Sequence, residues 1–162
     1  MPARPYQQEC LNIIQRQPPG SYLCNLATGL GKTWIFTHIP RRGRVLVLAH
    51  REELVRQPAK YYDCPVGFEI AKDTSNGEEV VIASVQSLVR RLDGFAPNDF
   101  DMLITDECHH AAANTYRKIY DYFHPRLHLG FTATVMRGDK VRLSDVFQKI
   151  IFQRDLRWGI QN

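Results

Sequence analysis

The sequence predicts an α/β protein: a mainly parallel central sheet with helices on both faces. Three observations carry this. Short continuous apolar runs rich in β-branched residues recur along the chain, as in "RVLVLA", "VVIAS" and "DMLIT", and strands without polar alternation are strands covered on both sides. Each run is followed by a segment with helical spacing, the alternation that builds βαβ units. At 162 residues the chain is one domain's worth, long enough to bury roughly 70% of its unfolded surface without disulfides or metal.

The elements follow in order. "RPYQQECLNII" reads as an amphipathic first helix, and "SYLCNL" is a strand that hands over to the helical "KTWIFTHI". "RVLVLA" leads to the helix "REELVRQ", which Pro58 ends or kinks. An extra strand falls near "VGFEIA"; "VVIAS" then leads to the helix "QSLVRRL". "DMLIT" leads through "DECHH" to the helix "TYRKIYDYF", and "LHLGFT" closes the series of strands. The last stretch, "LSDVFQKIIFQRDLRWGIQN", reads as a helix and an extended segment leaving the sheet. No internal repeat, low-complexity tract or linker interrupts the chain.

Composition removes several classes. The formal charge of +4 suits a polyanionic partner without requiring one. Cys10, Cys24, Cys64 and Cys108 form no CxxC pair, so neither a disulfide framework nor a thiolate zinc site is suggested, and an intracellular, reducing compartment fits best. The opening "MPARPYQQEC" has no apolar leader, and no apolar run approaches the ~20 residues of a membrane span. The expectation is a soluble protein with no membrane partner.

Two stretches carry chemistry. In "LATGLGKTWIF" a strand gives way to a helix through glycines, where Gly29 and Gly31 can take positive φ and backbone N–H groups can converge on an anion. Lys32 would reach the β and γ phosphates of a nucleotide and the Thr33 hydroxyl would ligate Mg²⁺. One departure stands out: the usual pattern begins with a small residue where this chain has Leu26. The bland reading of the stretch is a glycine turn. In "FDMLITDECHH" an apolar strand ends on adjacent acids, and strand neighbours point to opposite sides. Asp106 is suited to hold Mg²⁺ through water and Glu107 to orient and deprotonate an attacking water. Ligands of an open parallel sheet bind outside the carboxyl ends of its strands, where Lys32 and Asp106 would both lie. Cys108, His109 and His110 are too close in sequence to surround one tetrahedral ion.

With these residues in place, the chain resembles the first RecA-like lobe of a superfamily-two DExH-box helicase. "ATGLGKT" corresponds to motif I, "DECH" to motif II and "TAT", Thr132 to Thr134, to motif III. The "RPYQ" opening, Leu26 and "GFTATVMRGD" resemble the branch of mitochondrial helicases and restriction-type translocases. The resemblance implies a lobe spanning residues 1–162, excised from a longer two-lobe chain, that uses ATP and Mg²⁺. It implies a nucleotide cradle of Thr28, Gly29, Leu30, Gly31, Lys32 and Thr33, with Gln7 reading adenine and Arg4 lying against the base. It implies phosphate contacts to RNA or DNA at Arg51, Ser84 and Gln86, with Arg90 and Arg91 as candidates to extend the track. His109, Thr132 and Thr134 would couple the nucleotide to the orientation of a second lobe of the same chain. Two other classes stay open: another P-loop phosphotransferase, and a nucleotide-gated nucleic-acid-binding module that does not unwind.

Overall fold

The computed structural model describes residues 3–26, 31–50, 55–108, 113–133 and 143–154. The first helix, α1 (Pro5–Gln15), starts on a proline whose fixed φ suits the first helical position. It buries Tyr6, Cys10, Leu11 and Ile14 along one stripe. The strands are β1 (Gly20–Leu26), β2 (Val45–Ala49), β3 (Val66–Glu69), β4 (Val80–Ser84), β5 (Met102–Asp106), β6 (Leu127–Thr132) and β7 (Lys149–Arg154). Between them lie α2 (Lys32–Thr37), α3 (Val85–Leu88) and α4 (Asn114–Tyr122).

All seven strands form one parallel sheet in the order β3-β4-β2-β5-β6-β1-β7. Alternate residues of each strand feed two cores. Tyr22, Cys24, Val45, Val47, Ile82, Ile104, Leu129 and Phe131 pack with α1 and α2 on one face. Leu46, Leu48, Val81 and Leu103 pack with α3 and α4 on the other. Because both faces are covered, β2, β4 and β6 are buried along their whole length, which explains their unbroken apolar runs.

Three expectations change. The chain between Lys149 and Arg154 does not leave the sheet: it adds β7 as an edge strand parallel to β1, with a register shift beside Leu23 and Cys24. Phe152 is the reason, buried to 3% exposure in the α1 face of the core. The helical backbone at Val55 stops at Arg56, and Pro58 sits in the first turn of a short 3₁₀ stretch, Gln57–Tyr61, while most of the predicted helix before it lies outside the described residues. The helix after β4 is a single turn, Val85–Leu88, followed by a 3₁₀ turn at Leu92–Gly94, where Asp93-Gly94 supplies turn chemistry. The helix after β5 ends at Tyr122, and Phe123 is already extended at φ −90° and ψ 148°. Pro125 disfavours helical backbone at His124 and so keeps the helix from resuming.

Candidate functional site

Ahead of α2, Gly31 takes a left-handed backbone at φ 74° and caps the helix. A Cβ at Gly31 would stand 2.5 Å from Gln7 Nε2, so the side chain of α1 and the backbone ahead of α2 approach closely only because this residue is glycine. Gln7 is buried to 6% exposure, and its Oε1 accepts the Arg4 backbone N–H at 2.9 Å. That bond fixes the amide, leaving Nε2 toward Gly31. Arg4 is exposed just before α1, and its guanidinium donates to the Tyr6 hydroxyl at 3.3 Å. Thr28, Gly29 and Leu30 lie outside the described residues.

Lys32, at the start of α2, pairs with Asp106 at the end of β5: Nζ to Oδ1 is 2.8 Å, with both side chains largely shielded. One strand, β6, separates β1 from β5, so the lysine reaches across it at the carboxyl ends of the strands. Thr33 follows Lys32 on α2 and is partly exposed. Glu107 lies beyond the pleat, with a left-handed φ of 51°, and its N–H donates to Asp106 Oδ1 at 2.9 Å. The division of the two acids therefore rests on a reversed backbone at Glu107 and not on strand alternation alone. Such a conformation costs a non-glycine residue about 1 to 3 kcal/mol and is characteristic of functional sites. Thr132 ends β6, fully buried, one residue beyond the register partner of Asp106. The donor set suits a magnesium nucleotide: a cation for phosphate, a hydroxyl and a carboxylate for a hard metal, and a glycine that keeps the approach open.

Beneath this rim is a polar group that sequence reasoning missed. Thr105 Oγ1 hydrogen-bonds the Tyr120 hydroxyl at 2.8 Å and His128 Nε2 at 2.9 Å, joining β5, α4 and β6. Burial pushes the His128 imidazole down to about 3, so it is neutral. The available signal was a histidine inside the apolar run "LHLGFT", since a polar side chain in a buried strand needs a partner.

The nucleic-acid candidates separate. Ser84 is fully buried and its hydroxyl accepts the Ser87 N–H at 3.3 Å, capping α3, so it does not face solvent. Gln86 is exposed on α3. Arg91 is bound to the turn after β3, through Glu69 Oε1 at 3.2 Å and the carbonyls of Asp73 and Ala71, which makes it a brace of the fold. Arg90 is exposed. Arg51, His109, His110 and Thr134 lie outside the described residues. Cys108 is buried with Leu23, Leu143 and Phe147, and burial pushes its thiol up. Among the described residues no helix is long and apolar enough to cross a membrane.

The helicase domain of Hef from Pyrococcus furiosus superposes with a TM-score of 0.76 at 22% identity, over 94% of this chain and 38% of that one. The architecture is that of a RecA-like lobe. Among curated proteins, the one named as the ATP-dependent helicase IRC3 of Saccharomyces cerevisiae is 37% identical over 182 residues, 94% of this chain and 26% of its own length. The one named as the mitochondrial ATP-dependent helicase irc3 of Schizosaccharomyces pombe is 31% identical over 175 residues, 93% of this chain and 29% of its own. The chain thus spans about a quarter of the length of these relatives. The family described as "Type III restriction enzyme, res subunit" matches residues 1–137, and the chain belongs to that family.

Proposed function

We propose that this chain is the first of two RecA-like lobes of an ATP-dependent nucleic-acid helicase or translocase, and that residues 1–162 are the nucleotide-binding lobe of a longer protein. The observation that carries the reading is the Lys32–Asp106 pair at 2.8 Å, which unites the two motif stretches at the carboxyl edge of the sheet, where ligands of parallel sheets bind. In the loaded state Lys32 turns from Asp106 to the β and γ phosphates, held among Thr28, Gly29, Leu30 and Gly31. Thr33 and Asp106 would hold Mg²⁺, Asp106 through water. When bound, the metal neutralises charge that develops on the phosphate oxygens.

Glu107 orients the attacking water and takes its proton. Gln7, whose Nε2 already faces Gly31, reads adenine, and Arg4 covers the base. Arg51 and Gln86 contact nucleic-acid phosphates, RNA or DNA; the burial of the Ser84 hydroxyl leaves its neighbour Gln86 as the exposed donor on α3. His109, Thr132 and Thr134 link the nucleotide to the second lobe. Four free cysteines support a reducing intracellular compartment.

The test is ATP hydrolysis by the complete protein, with and without RNA or DNA. Glu107→Gln should keep ATP binding and lower turnover by about 10²- to 10⁴-fold, the range for a positioned general base. Unchanged turnover in that variant would remove Glu107 from the mechanism, and transfer of phosphate to another acceptor instead of water would assign the site to a phosphotransferase.

A further inference from the structure

Tyr116, in the first turn of α4, is 2% exposed, yet its hydroxyl has no hydrogen-bond partner among the described residues. Its ring lies nearly parallel to His50 at the end of β2, with centroids 6.4 Å apart and planes at 16°. It also meets Tyr120, with centroids 6.1 Å apart, and the Tyr120 hydroxyl is bonded to Thr105, the residue before Asp106. The ring is therefore fixed by packing while its polar end is unmatched. Leaving a buried hydroxyl unsatisfied is unfavourable, and such groups in folded proteins call for an explanation. Tyr116 stands one turn before Tyr120 on α4, and Tyr120 bonds Thr105, two residues before Glu107; burial pushes the phenol up, and Glu107, Asp106 and Cys108 push it the same way.

In the present state the backbone of Glu107 is tied to Asp106. Its N–H donates to Asp106 Oδ1, the same oxygen that pairs with Lys32, and its backbone is left-handed. With a magnesium nucleotide bound, Lys32 would turn to phosphate and Asp106 to the metal, and the arrangement that ties the Glu107 backbone would be released. We propose that Tyr116 is a positioning residue for hydrolysis, its hydroxyl donating to the Glu107 carboxylate in the loaded state so that the other carboxylate oxygen faces the attacking water. The inference rests on the hydrolase reading given above.

Tyr62 supplies an internal control. Its hydroxyl is also buried and without a partner among the described residues, but it packs against the α1 face of the core, under Arg41, whose guanidinium is 5.9 Å from the ring centroid. If orphan hydroxyls are merely tolerated, Tyr116→Phe and Tyr62→Phe behave alike. If Tyr116 positions Glu107, they differ. The experiment measures kcat, KM for ATP, nucleic-acid affinity and melting temperature for the complete protein and the two variants.

The expected result is that Tyr116→Phe lowers kcat by about tenfold to a hundredfold, the effect of one hydrogen bond to a charged group. KM and nucleic-acid affinity should stay within about twofold, with melting unchanged or raised, because the loss acts on the chemical step alone. Tyr62→Phe should leave kcat unchanged. A kcat within about twofold of the unmutated protein for Tyr116→Phe overturns the role, as does a loss accompanied by lower melting and weaker ATP binding. Absence of hydrolysis by the unmutated protein would overturn the hydrolase reading and this role with it; brisk hydrolysis insensitive to Tyr116→Phe overturns the role alone.

Discussion

Gly31 meets two demands at one position: a left-handed backbone and room for the Gln7 amide. An alanine there is strained by about 1 to 2 kcal/mol and drives its Cβ into Gln7 Nε2. Gly31→Ala should therefore lower both the melting temperature and ATP affinity, measured on the same preparation. Lys32→Ala is predicted to separate these quantities. The Lys32–Asp106 pair lies at the rim of the sheet and outside the apolar core, so melting should move little while nucleotide binding is lost. Intact ATP affinity in Lys32→Ala would refute the phosphate role. His128 gives a pH signature. Its folded value is depressed to about 3 against an unfolded value near 6.5, so the unfolded chain binds the extra proton as pH falls. Stability from this residue is full above about 6.5 and declines toward acid. Denaturant titrations at pH 7 and pH 5 should show the unmutated chain losing up to about 2 kcal/mol more than His128→Gln. Equal losses in the two would show that His128 is not the group responsible.

At the scale of elements, what the sequence disclosed depended on how each segment is buried. Strands β2, β4, β5 and β6 were legible because both their faces are covered, so apolar residues run together. β7 was not, because it is an edge: Lys149 and Ile150 are exposed, Phe152 is buried, and the pattern is neither continuous nor alternating. What commits it to the sheet is one aromatic and a tertiary clamp, Arg154 to Glu9 on α1 with both carboxylate oxygens at 3.0 Å. Phe152→Ala should cost about 3 to 5 kcal/mol, read by urea unfolding, if β7 belongs to the cooperative core. A cost below about 1 kcal/mol would mean that the strand docks without contributing. The site divides in the same way. Lys32 and Asp106 could be placed from their motifs, whereas the Thr105–Tyr120–His128 bonds depend on which strands become neighbours. That juxtaposition is set by the whole sheet and by no local spacing.

For the whole molecule, the proposed function gives this lobe the groups for one side of a phosphoryl-transfer transition state. Positive charge opposite Lys32 would come from a second lobe, and arginines in that position raise turnover by roughly 10³- to 10⁵-fold in related enzymes. The chain of 162 residues should thus bind Mg·ATP yet hydrolyse it very slowly, and the complete protein should be faster by a factor in that range once RNA or DNA is added. Brisk, nucleic-acid-stimulated turnover by the 162-residue chain alone would overturn the two-lobe requirement. The parallel course of β7 beside β1 also has a mechanical meaning. Tension applied beyond Arg154 along the strand axis loads the whole β1–β7 ladder in shear, whereas a sideways pull would peel it from Arg154 inward, one bond after another. The same attachment is therefore stiff in one direction and yielding in another, and a force borne at the nucleotide rim reaches the sheet through its strongest geometry only when it runs along the strands.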